Sequence, residues 1–391
     1  MSSKIIIPIL LIGFLSSCQN EKKYILPSIL IGKTVKCETS SIRIQLNYSN
    51  LNAYYVHCTR TISDTVFFFG INDKTSSIDI FDMDNAVFKQ SIKLEHEGPN
   101  GIGKDSGRGI AVRNFDSIFI FNHVAISLIN REGMLIQSYS LLNRAFYQDI
   151  PFGQVTAKEC SNIHVDANRQ LIYMFYSPTS LNLFSKEYLD TPFLLKYDLN
   201  LRKSSLVPIH YSQYYKDSKG KLGLYMNYPN FSVCDSLIYY NFPAESNCYI
   251  YNCLTGETGV FGGTSEFTSN LTTHATGTDI TKDRIHLIEN AFFFNIIADP
   301  YKGLIYRLHW GGVDFKKNAT EYSTEYDKPL FLTVFDKEMR KIHELRLPDH
   351  KYIPYSAFVT KKGLYLCTSN EANPEIDENL FVFDVFQFIV N

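Results

Sequence analysis

The 391-residue sequence has one tryptophan, no Cys-x-x-Cys pair, no His-x-x-x-His pair and no Gly-x-Ser-x-Gly segment. Each absence removes a class of protein. Without cysteines or histidines at ligand spacing, a zinc site has no starting point. Without the strained serine turn, an α/β-hydrolase has no nucleophile. No apolar run reaches the roughly 20 residues that a membrane-spanning helix needs. Charge of one sign is lacking too: 38 basic residues stand against 40 acidic ones. Nucleic acid is therefore not an expected partner. No metal or cofactor is expected.

Eight cysteines are scattered along the chain. Cys248 and Cys253 fall on one apparent strand, where about 3.3 Å per residue puts their Cα atoms roughly 16 Å apart, too far for a disulfide. Cys37 with Cys58 is a conceivable pair. The remaining thiols read as small apolar side chains.

What is present begins at the N-terminus. Lys4 precedes an apolar stretch, residues 5–15, broken only by Pro8 and Gly13, and Leu15-Ser16-Ser17-Cys18 follows. A charged start, a short apolar run and small residues before a cut are the layout of an export signal. The Leu-Ser-Ser-Cys ending resembles the lipobox of bacterial lipoproteins, whose cysteine takes a thioether lipid and becomes the new N-terminus. The resemblance implies removal of residues 1–17, lipidation of Cys18, and a tether over 18–40. Gln19, where Asp would retain such a protein at the inner membrane, implies an outer-membrane destination. Which membrane face it occupies is left open.

Aromatic residues are abundant, with 26 Tyr and 29 Phe, and such side chains favour strands. A two-part pattern recurs. A turn opens an apolar strand at Asp64, Asp116, Gln170, Asp235, Lys302 and Lys362. A second apolar strand follows and closes on Asp or Asn: Asp82, Asn130, Asp198, Asn252, Asp336 and Asp384. Strand units recurring at such intervals, with insertions, mark propeller blades. Six units predict an all-β, six-bladed β-propeller over residues 41–391. The last unit has little room for an outer strand, whereas residues 41–47 alternate polar and apolar. That segment is expected to pair with the last blade and close the ring, removing free sheet edges. Long loops are expected at 177–192, 210–228, 263–289, 310–328 and 369–379.

Glu97-Gly98-Pro99-Asn100-Gly101-Ile102-Gly103 lies between the first two units. With the lipobox, the Asp-Ser-Ile-Phe strand opening and six units, it resembles the uncharacterised TolB-like six-bladed propeller lipoproteins common in Bacteroidota. That resemblance covers the chain from about residue 40 onward. It implies a fold and a cell-envelope location, but no activity and no catalytic residues.

The glycine-rich segment lacks the Gly-Lys-Ser/Thr ending of a phosphate loop and reads as a crossover, with Arg108 beside it near the channel. The most unusual stretch is Tyr306-Arg307-Leu308-His309-Trp310-Gly311-Gly312. Arg307, His309 and the one Trp could together hold an anionic or sugar-like ligand by hydrogen bonding and stacking. The bland reading is strand residues plus a packing Trp. Asp64-Thr65, Asp116-Ser117 and Asp235-Ser236 resemble O-glycosylation sites, but their shared repeat position favours turn formation. The expected function is a binding module for an envelope protein, peptide or glycan. The alternative is an enzyme acting on carbohydrate or peptide at the channel mouth.

Overall fold

The computed structural model describes residues 23–32, 34–103, 107–155, 163–166, 168–277 and 279–390. Residues 1–17, read from the sequence as an export signal, and Cys18 and Cys160 lie outside the described residues. Six four-stranded antiparallel sheets form the blades. Blade 1 consists of His57–Ile62, Thr65–Asn72, Ser77–Asp82 and Val87–Lys93. In each of blades 1–5 the strands follow in chain order from the inner strand outward. The other inner strands are Gly109–Asn114, Ile163–Asp166, Asn230–Cys234, Phe292–Asp299 and Ile353–Thr360.

The recurring sequence units coincide with the second and third strands of each blade. Asp64, Gln170 and Asp235 take φ of 66°, 56° and 53° just before the second strand, the left-handed region that turn residues such as Asp tolerate best. At the end of the third strand, the Asp or Asn caps the hairpin. The Oδ1 atoms of Asp82, Asn130, Asp198, Asn252 and Asp336 each accept two backbone N–H groups from the next four residues. At Ser117 the side chain is buried and accepts from Arg113 Nη2 at 2.9 Å, a turn-and-core role that leaves no room for a sugar.

Ring closure follows the expected device. The N-terminal strand runs Val35–Gln45, beginning before residue 41, and pairs antiparallel with Leu380–Val390 along its whole length. Eleven residues of ladder convert the last blade's free edge into a paired one. Upstream, part of the segment read as tether lies along blades 4 and 5. Lys23 and the Tyr24 hydroxyl reach Asp217, Leu26 N–H donates to Asn247 Oδ1, and Lys341 N–H donates to Ile29 O at 2.8 Å.

The up-and-down order of strands sorts the connections. Inner-to-second and third-to-outer connections share one face, and those of blades 1–5 are tight turns of two to five residues. The opposite face collects the long ones, 94–108, 141–162, 176–193, 208–229, 262–291, 311–329 and 368–379. Every helix among the described residues is there too, including Gln213–Ser218 and Ile280–Glu289. The six described cysteines are all free thiols. Cys37 and Cys58 are therefore not paired, because the closing strand places Cys37 on the outer edge of blade 6 and Cys58 on the inner strand of blade 1.

Candidate functional site

The inner strands surround a central cavity of about 900 Å³. Its wall has an aromatic sector in which Tyr55, Tyr355, Phe292 and Phe294 take part. Tyr55 and Tyr355 meet at 5.2 Å between ring centroids, and Phe292 and Phe294 at 4.8 Å. A polar sector comes from Asn230, Ser232, Asn295 and His164. Arg60 and Arg108 supply the cationic groups, and no Asp or Glu lines the cavity among the described residues.

The two lining histidines are neutral at pH 7. Burial pushes His57 down to about 4, against its hydrogen bond with Tyr54 O, and the ring stacks on Phe68. Burial also brings His164 down to about 4, opposed by Asp166 and helped by the charge of Arg60. Among the described residues, no group of three or more His, Cys, Asp or Glu side chains could hold a metal ion.

The candidate residues separate. Arg108 sits just before the inner strand of blade 2, on the loop-bearing face, and lines the cavity. Arg307 does not reach it. Its side chain is wholly buried at the border of blades 4 and 5, between the rings of Phe293 and Phe335 at 4.6 and 5.8 Å. Its Nη1 donates to Ser246 O and Cys248 Sγ, and its Nη2 to Gly263 O. His309 is likewise buried, bonded to Ser265 Oγ at 3.0 Å and stacked between Phe293 and Phe331. Burial first, then the charges of Arg307 and Lys341, hold its imidazole well below the ordinary range. Glu344, 3.5 Å away, pairs instead with Lys341 at 2.6 Å. Trp310 stands behind the aromatic sector, 4.7 Å from Phe294 and 6.5 Å from Tyr355, with Lys328 Nζ over its ring at 5.3 Å.

The cavity groups that sequence reading missed are Arg60, His57, Asn230, Ser232 and Asn295. One signal was available. Asn230, Ser232 and Cys234 recur at every second residue, as a strand facing a wet channel requires.

Residues 33–346 match the family described as Domain of unknown function (DUF4221). The chain belongs to the DUF4221 family. A crystal structure of a DUF4221 member from Bacteroides vulgatus ATCC 8482 superimposes with a TM-score of 0.76 at 19% identity, covering 91% of this chain and 99% of that one. A second structure, from Bacteroides fragilis NCTC 9343, carries the provisional name of an exported protein. It superimposes with a TM-score of 0.54 at 11% identity, covering 90% of this chain and 95% of that one. No curated protein matches the sequence. Both likenesses are of fold, and the DUF4221 propeller takes its functional reading from its own cavity and loops.

Proposed function

We propose that the protein is a lipid-anchored envelope binding module that takes its ligand on the loop-bearing face, at the mouth of the central cavity. One observation carries this reading. Among the described residues, the cavity wall is aromatic, amide and hydroxyl in character with two guanidinium groups and no carboxylate. Hydrolysis of a glycoside needs a pair of carboxyl groups across the scissile bond, and general acid–base chemistry needs groups poised near neutral pH. Histidines held near pH 4 are poor candidates. The alternative, an enzyme acting on carbohydrate or peptide, finds no such constellation among the described lining residues.

The anchor reading rests on Leu15-Ser16-Ser17-Cys18, and the likeness to a protein with an exported name agrees with it. The docked N-terminal segment adds an orientation. Lys23 is held by Asp217, in a helix on the loop-bearing face. Five residues (23 − 18) reach at most about 18 Å at 3.6 Å each. A lipid on Cys18 would therefore keep the loop-bearing face near the bilayer. Arg108 would meet the ligand, while Trp310 backs the aromatic wall and Arg307 and His309 hold blade 5 against blade 4.

The test is crosslinking of intact cells carrying a C-terminally tagged chain, followed by membrane solubilisation and mass spectrometry, with Cys18→Ala beside it. A stoichiometric envelope partner, lost together with membrane association in Cys18→Ala, is the expected result. A wild-type chain that stays soluble overturns the anchor. Repeated capture of nothing counts against a protein partner.

A further inference from the structure

We infer that the central cavity is a binding site for a small hydroxylated organic anion, of the size of an acidic mono- to trisaccharide. The inference rests on the binding-module reading and specifies its ligand. Arg60 and Arg108 come from adjacent blades, 1 and 2, and both line the cavity. Neither makes an ion pair among the described residues. The Arg60 side chain makes one hydrogen bond, Nε to Arg113 O at 3.3 Å. Several other arginines pair with carboxylates, Arg131 with Asp116, Arg340 with Asp336 and Arg346 with Asp349. Arg307, which likewise has no ion pair among the described residues, directs its fork to the carbonyls of Ser246 and Gly263.

Two guanidinium groups without a carboxylate partner among the described residues, in a partly apolar cavity, attract negative charge more strongly than they would on an open surface. They also suit carboxylate or phosphate oxygens geometrically, because each presents a fork of N–H donors. No Asp or Glu among the described lining residues opposes an anion by repulsion.

The remaining lining asks for hydroxyl groups and a carbon face. Asn295 Oδ1 is buried without a hydrogen-bond partner among the described residues, and the cost of leaving such an acceptor unpaired is relieved by a donor. A ligand O–H is one. The His164 ring makes no hydrogen bond to any described residue and, being neutral, offers one donor and one acceptor. Tyr55, Tyr355, Phe292 and Phe294 offer ring faces against which the C–H face of a sugar packs. A volume of about 900 Å³ falls within the ~300–1,000 Å³ range of small-molecule pockets.

The experiment is isothermal titration of the solubilised full-length protein with acids and their neutral twins: galacturonate and galactose, trigalacturonate and its methyl ester, glucose 6-phosphate and glucose. The expected result is that at least one acid binds ten-fold or more tightly than its twin. Arg108→Gln and Arg60→Gln should each weaken that acid ten-fold or more, with Lys302→Gln, on the opposite face, unchanged. Melting temperatures of the three variants serve as the folding control, and Arg108→Lys should restore part of the binding. Carboxylate and phosphate arms separate the two sources of charge. A neutral twin binding as tightly as its acid overturns the anion inference and leaves the binding module standing. So does acid binding that ignores both arginine variants. Failure of every acid to bind also overturns it, while the crosslinking capture decides the binding module separately.

Discussion

Ser41 Oγ donates a hydrogen bond to Asp384 Oδ1 at 2.5 Å, across the seam where the first strand meets the last. The same carboxylate accepts from Tyr352 at 2.7 Å and from Lys351 Nζ at 2.6 Å. In blades 1–5 the equivalent Asp or Asn caps a hairpin turn. In blade 6 the strand continues to Val390, so there is no hairpin to cap and the side chain serves the ring closure instead.

Asp384→Ala should therefore cost about 3 kcal/mol, given the usual penalty for removing one partner of a buried charged cluster. The pH dependence has a definite sign. Burial raises the Asp384 pKa, but the bonds from Lys351, Ser41 and Tyr352 outweigh it and lower it overall. The stability it contributes is present above the usual carboxylate pKa of about 3.9 and is lost as pH falls through the lowered folded value. Urea melts at pH 7 and pH 3 check both halves. An equal difference at the two pH values would sink the argument.

Glu245 should behave in the opposite sense. It is buried, accepts from the Tyr249 hydroxyl at 2.6 Å, and burial raises its pKa to about 7 against the bonds from Tyr249 and Ser212. A raised carboxyl pKa favours folding fully only below the unfolded value, and the benefit is lost as pH rises toward 7. Glu245→Gln keeps an acceptor for Tyr249 and removes the ionisation. It should be more stable than wild type by about 3 kcal/mol at pH 8 and equal to it at pH 4. Thermal melts across this range decide.

Arg307→Met should destabilise by about 3 kcal/mol, since the carbonyls of Ser246 and Gly263 lose their donor and buried unpaired acceptors cost about 1–3 kcal/mol each. Arg307→Lys should recover only part, because an ammonium cannot fork to two carbonyls as a guanidinium does. Denaturant titration of both variants measures this. Two wild-type curves would show that the bridge between blades 4 and 5 does not depend on this side chain.

Gly70→Ala should cost about 2 kcal/mol by overpacking. A Cβ there would lie 2.3 Å from Tyr54 Cδ1. Tyr54 has no room to retreat: its ring meets Phe68, Phe81 and Phe381 at 5.3–5.7 Å, and its hydroxyl donates to Asp79 at 2.6 Å. In a Tyr54→Ala background the same substitution should be nearly silent. Additive costs in that double-mutant cycle would refute the clash.

Much of the fold was legible because second and third strands carry their signal locally. Each is an apolar run bounded by a turn, as in residues 117–121 and 248–252, and the capping Asp or Asn recurs at a fixed place. The inner strands were not legible. His57–Ile62 and Asn230–Cys234 mix Asn, Ser, Thr, His and Arg because part of each faces the channel, so no clean apolar run appears, and the alternation in Asn230–Cys234 spans only five residues. Those are the strands that build the cavity. Reading the site from the rarest residue led to Trp310 and its neighbours, and rarity is no measure of exposure.

The sequence by itself determined the number of units, the order of strands within them and the strand that closes the ring, since these depend on local periodicity and on turn residues. Only the tertiary structure decided which polar groups are available to a ligand. Arg108 and Arg307 are chemically identical, and each sits in or beside a blade strand. One faces open space and the other faces the carbonyls of an adjoining blade. That difference is made by residues 44–61 positions away in the chain, whose approach no local pattern encodes.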